Sequence, residues 1–184
     1  MRRRVLLCLP LLPTALPAQP PGAAPSLKVS AAQVFEALSA RFPLRWDVPG
    51  LIELVADAPR LLLLPQDQRI GATLQLQASG PQLREPEGGE VDLVFALRYE
   101  SEDRTLRAHR PDFLDVRWAR MPPQTARAVR RLLREMARRA MGELVLHRFT
   151  ARELALPDTL GLQPETITVL DDGLLVRFGP RPRP

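Results

Sequence analysis

A chain of 184 residues is the length of one ordinary domain, and 45% hydrophobic against 26% charged residues is enough for a single packed core, which excludes a wholly disordered chain. Arg2, Arg3 and Arg4 supply most of the formal net charge of +5, so the remainder is close to neutral and argues against nucleic acid as a partner. Cys8 is the only cysteine and lies in the first apolar run, so the rest of the chain has no thiolate for a disulfide, a metal site or a nucleophile.

The start sets three arginines before an apolar run, Val5 to Leu12, with small residues near Ala18. That order predicts a secretory signal peptide over 1–18, cleaved after Ala18, and a periplasmic or secreted destination. Arg3-Arg4-Val5-Leu6-Leu7 also admits the twin-arginine route, and the residues leave the two routes open. Lipid anchoring at Cys8 is not expected, because Leu7 precedes it and only three apolar residues separate it from the arginines. Residues 19–27 are Pro-rich and predict a flexible leader, residues 180–184 a disordered tail, and 28–179 one α+β domain.

Ser30 followed by Gln33 is a capping box, with Val29 and Val34 in staple positions. It predicts a short helix whose one face carries Val34, Phe35, Leu38 and Phe42, ended by Pro43. Leu51–Ala56 and Leu61–Leu64 are short apolar runs bounded by prolines, which suits strands near an edge or bend. From 69 to 78 the alternation is strict, with Ile70, Ala72, Leu74, Leu76 and Ala78 facing one way. Val91, Leu93, Phe95, Leu97 and Tyr99 repeat it, and Glu87-Gly88-Gly89 reads as the intervening turn. Thr105–Arg110 and Phe113–Arg120 give two further strands, the second with Leu114, Val116 and Trp118 on one face.

Pro123–Arg148 predicts the longest helix, strongly amphipathic. Ala126, Val129, Leu132, Leu133, Met136, Ala137, Ala140 and Leu144 share one arc. Arg127, Arg130, Arg131, Arg134 and Arg138 share the other. Last, Asp171-Asp172-Gly173 between two apolar runs is a hairpin signal. The order predicts an α+β fold: a strongly curved antiparallel sheet wrapped around one long amphipathic helix, with a short N-terminal helix.

Chemistry-bearing patterns are sparse. No nucleophile elbow, phosphate-binding loop or dinucleotide fingerprint is present, and no cofactor is implied. The carboxylates Asp57, Asp112, Asp115, Asp171 and Asp172 fall at expected turns and strand ends, so no catalytic residue and no enzyme activity is expected. His147 stands one helical turn after Glu143, and that pair reads as a helix-edge contact, with no metal ligands spaced to join it. Arg127, Arg130, Arg134 and Arg138 are the candidates for contact with an anionic membrane surface, against the plainer reading of a solvated face. A protein partner is not identified.

The helix ending in Arg41-Phe42-Pro43, the run Pro59-Arg60-Leu61-Leu62-Leu63-Leu64-Pro65, Gln68-Arg69-Ile70 opening the alternating strand, and Leu97-Arg98-Tyr99 before a long helix together resemble the YceB-like family of small bacterial envelope proteins, whose domain has no known function. Its members are typically lipoproteins, and this chain departs from that at Cys8. The family fold is similar to one half of the tubular lipid-binding superfamily, which implies a groove for a lipid or acyl chain between sheet and helix. The expected groove residues are Phe35, Leu38, Phe42, Phe95, Trp118, Leu133 and Met136. The resulting expectation is an exported envelope protein that binds a hydrophobic ligand. The alternative is a structural or partner-binding envelope protein with a filled core.

Overall fold

The computed structural model describes residues 24–48, 52–81, 83–140 and 143–180. In chain order the elements are β1 (Ser26–Ser30), α1 (Ala31–Ser39), β2 (Leu44–Val48), β3 (Ile52–Leu64), β4 (Arg69–Ser79), β5 (Glu87–Glu100), β6 (Thr105–Trp118), α2 (Pro123–Ala140), β7 (Glu143–Arg148), α3 (Ala151–Thr159), β8 (Leu162–Leu170) and β9 (Gly173–Pro180). The fold is α+β and mostly strands. Six strands form one antiparallel sheet in the order β2-β3-β4-β5-β6-β7, and three form a second in the order β1-β9-β8.

The large sheet is a strongly curled half-barrel, and one helix shows how far it curls. α1 packs against both β3 and β7, with β4, β5 and β6 between them. In a flat sheet those strands would stand four spacings, roughly 19 Å, apart. A helix of about 10–12 Å diameter cannot reach both unless the sheet bends around it. The bending has local causes. The β3–β4 register slips between Asp57 and Arg60, beside Pro59, and the β5–β6 register slips twice, between Asp92 and Leu93 and between Val94 and Ala96. Each slip sets an extra residue into one strand, which raises the local twist and bends it.

The period-two pattern sorts the residues as expected. Ile70, Ala72, Leu74, Leu76 and Ala78 of β4 are all buried, as are Val91, Leu93 and Phe95 of β5. They share the core with Val34 and Leu38 of α1, Val129 and Leu133 of α2, and Val169, Leu174, Val176 and Phe178 of the small sheet. α1 begins at the Ser30–Gln33 capping box, both halves of which are made. The hairpin at Asp171-Asp172 is present, and Gly173 at φ 148° lets β9 pass so close to β1 that a Cβ there would meet the Val29 carbonyl at 2.3 Å.

Several expectations change. The long helix stops at Ala140, and Glu143–Arg148 is strand β7, paired with the first half of β6. An open sheet edge there outweighs helix propensity, and Leu144 and Leu146 are buried in strand alternation. α2 packs chiefly on β6, so the helix spanned by the curled sheet is the short α1. Glu87-Gly88-Gly89 is not a turn but the start of β5, and the connection lies before it. The two strands expected over 105–120 are one, and the β5–β6 register passes over Leu114, which is 60% exposed instead of sharing the face of Val116. Ser26 and Leu27, expected in the flexible leader, pair with Arg177 and Val176. Pro180, expected to open the disordered tail of 180–184, is the last residue of β9 and pairs with Leu162, while the proposed signal over 1–18 and residues 181–184 lie outside the described residues.

Candidate functional site

The sheet's outer face carries a depression of about 700 Å³ spanning β3, β4, β5 and β6. Its position follows from register. Asp57 faces Gln75, Gln75 faces Glu90, and Glu90 faces Arg117, so four adjacent strands set these side chains in one transverse row. All four alternate with core residues and therefore point away from the core. The neighbouring row is Val55, Gln77, Gly88 and Ala119, in which Gln77 is the one long side chain and a Cβ added at Gly88 would meet nothing within 4 Å. The missing side chain is what leaves the hollow. Leu76, Gly89 and Trp118 run along its floor between the two rows, and their side-chain positions belong to the opposite, inner face, where Leu76 is buried.

On the other side of the same strand, Gly89 is closed. A Cβ there would stand 2.5 Å from Trp118 Cε3, so the glycine seats the indole against β5. The indole Nε1 is buried and has no hydrogen-bond partner among the described residues.

The polar rim is fixed by a charge network. Arg117 donates to Asp92 at 2.7 Å, to Asp115 at 3.0 Å and to Glu90 at 3.2 Å. Gln75 donates to Glu90 at 2.7 Å, and Thr73 to Asp92 at 2.7 Å. Hydrogen bonds from Gln75 and then Arg117 hold the Glu90 carboxyl below its usual range. Arg117 does the same for Asp92, against the opposing effect of burial. Arg117 itself is pushed up by its carboxylate partners, Asp92 first. The rim is thus ionised and held in place at neutral pH, beside the short side chains of Val55 and Ala119 and the bare backbone of Gly88. Such a hollow suits a molecule with an apolar body and a polar end.

The expected groove residues do not assemble into one cleft. Of them only Trp118 borders the depression, and its indole is seated on the opposite face, against Gly89. Leu38, Phe95 and Leu133 are closed into the core at 2%, 1% and 4% exposure, and Phe42 packs against that core. Phe35 turns outward and is 43% exposed. The side chain of Met136 lies outside the described residues. Of the arginine face, Arg127, Arg130 and Arg134 are exposed, Arg130 reaches the Val116 carbonyl at 3.3 Å, and the side chain of Arg138 lies outside the described residues. The depression was missed because its parts come from four strands separated in sequence. The Gly88-Gly89 pair between Glu87 and Glu90 is the one signal in the sequence, and it matches a turn equally well.

The Glu143–His147 pairing is overturned. In a strand, residues four apart stand roughly 13 Å from one another. Glu143 instead accepts from Arg98 and Arg107, each at 2.6 Å. His147 Nε2 meets Glu153 Oε1 at 3.1 Å, and its ring stands edge-on to Phe149. Glu153 also completes the Thr150 capping box that begins α3. Burial, then Arg98 and Arg110, push the His109 imidazole down. Among the described residues no group of three His, Cys, Asp or Glu side chains could hold a metal ion, and no helix is long and apolar enough to cross a membrane. No protein-family model matches this chain, and no curated protein matches it.

Proposed function

We propose that this chain is an exported envelope protein that binds a lipid or other amphipathic ligand, and that the depression over Gly88 is where the ligand sits. The observation that carries the reading is a hollow of about 700 Å³ with short or absent side chains at Val55, Gly88 and Ala119 and an ordered polar rim at Gln75, Glu90 and Arg117. Its volume falls in the range that holds small-molecule ligands. The expected export over 1–18 and the resemblance to YceB-like envelope proteins belong to the same proposal. The site has moved from between helix and sheet to the sheet's outer face, because the interior positions are occupied by packed side chains.

Gly88→Phe tests it, since the added side chain enters open space and should leave the fold intact. Native mass spectrometry of the mature protein purified from its own envelope, with lipid extraction of the same sample, should find a stoichiometric acyl lipid that Gly88→Phe lacks. Equal lipid in the variant removes the depression as the site. An apo mass that takes up no added lipid removes the ligand.

A second reading is a partner-binding or structural envelope protein with a filled core and no ligand. It is favoured by the closure of Leu38, Phe95 and Leu133, which leaves no room beside them.

A further inference from the structure

We infer that the outer face of α2 docks on anionic lipid headgroups at a membrane surface. Arg127, Arg131 and Arg134 follow one another at spacings of four and three, so they form one stripe within an arc of about 60° and about 10 Å long. All three are exposed. On the opposite side of the helix, Val129 and Leu133 are buried at 3% and 4%.

Three arginines of the sheet are neutralised in place, whereas Arg60, Arg69, Arg110 and Arg177 of the strands make no salt bridge among the described residues. Arg98, Arg107 and Arg117 each stand between two or three carboxylates. Among the described residues, none of Arg127, Arg131 and Arg134 has a carboxylate partner. Their charge is not neutralised within the described fold, and it is presented along a straight line. Such a line matches a surface of closely spaced anions better than it matches a single anionic ligand in a cleft.

The apolar side of the same helix is committed to the core, so contact is confined to headgroup depth. That makes the attraction electrostatic, reversible and sensitive to salt. Arg130 adds a positional element, because its bond to the Val116 carbonyl ties the helix to β6 and fixes which side faces outward. Nucleic acid is the competing polyanion. α2 contains no aromatic side chain on which a base could stack.

The inference does not depend on the depression over Gly88, and the test keeps the two apart. The full mature protein is sedimented with vesicles of phosphatidylglycerol and phosphatidylethanolamine, and with vesicles of phosphatidylcholine alone. It should bind the first at low salt, release at high salt, and ignore the second. Replacing Arg127, Arg131 and Arg134 together with Gln should lower the partition coefficient by about 100-fold, and replacing them with Lys should largely preserve it. Arg131→Gln alone should lower it about fivefold, which serves if the triple variant folds poorly. Gly88→Phe should bind vesicles normally whatever becomes of its ligand. Equal binding to neutral vesicles, no binding at low salt, or indifference to the triple Gln change overturns the inference. So does capture of an oligonucleotide by a protein that ignores anionic vesicles.

Discussion

Gly88 and Gly89 are chain neighbours on opposite faces of β5, and replacing each with Ala should move stability in opposite directions. At Gly89 the new Cβ would stand 2.5 Å from Trp118 Cε3, 2.6 Å from the Arg117 carbonyl and 2.9 Å from Trp118 Cδ2. One of those atoms is backbone in the paired strand, so relief requires the indole to move and the β5–β6 pair to spread. Overpacking of this kind costs about 1–3 kcal/mol. The stiffer unfolded chain returns about 0.4–1 kcal/mol, leaving a net loss of roughly 1–2 kcal/mol. At Gly88 the Cβ meets nothing within 4 Å, so only the unfolded-state gain of about 0.4–1 kcal/mol remains. The two variants should differ by roughly 2 kcal/mol, a separation of about 4–8 °C in Tm for a domain of this size. Urea unfolding of both, followed by tryptophan fluorescence and circular dichroism, reads the difference as a shift of midpoint at unchanged slope. If Gly89→Ala is as stable as the native chain, or if both variants lose stability equally, the indole is not seated on Gly89. The assignment of these glycines to a closed and an open face would then be wrong.

The Arg117 network predicts an acid response. Glu90 and Asp92 are held below their usual values, so the stability they contribute is complete at neutral pH and is lost as pH falls through the lowered values, below about 4. Arg117→Gln should be destabilised at pH 7 and much less so at pH 3, measured by urea midpoints at both. His109 is also pushed down, so its contribution is present above about pH 6.5 and is lost as pH drops below that value. His109→Gln should flatten the stability profile between pH 7 and pH 5, and an unaltered slope there would exclude the imidazole as its source. Phe95→Ala should cost about 3–5 kcal/mol, because Phe95 is 1% exposed. Leu114→Ala, at a residue the register passes over, should stay within about 0.5 kcal/mol. Comparable losses at the two positions would contradict the bulge.

What could be read in advance was local. Ser30 and Gln33 specify their own helix start, and the alternation from Ile70 to Ala78 specifies a half-buried strand, because each signal is complete within a few neighbours. Asp171-Asp172-Gly173 is equally self-contained. The errors arose where a distant partner decided the outcome. Glu143–Arg148 can sit on a helix face, and it became a strand because β6 offered an unpaired edge. Thr150 and Glu153 carry the same capping pattern as Ser30 and Gln33, but extending α2 through Arg148 hid it. Leu114 matches the period of Val116 and Trp118, and a bulge that only pairing with β5 reveals turned it outward. The depression was hidden for the same reason. Asp57, Gln75, Glu90 and Arg117 become a row only when four strands take their register, and within each strand they are ordinary outward-facing polar residues.

The placement of α2 has a consequence for how the chain behaves in company. β7 pairs with β6 only over Thr105–His109, which leaves the stretch from Phe113 to Trp118 without a strand on that side. A bare strand edge recruits strands from other molecules and begins aggregation. Here α2 lies against β6, and the Arg130 guanidinium occupies the Val116 carbonyl that an incoming strand would use. A second copy approaching that edge would meet the helix and the Arg130 guanidinium at the Val116 carbonyl. The helix thus covers an edge along which identical chains could otherwise join, and it does so while keeping its arginine stripe turned outward.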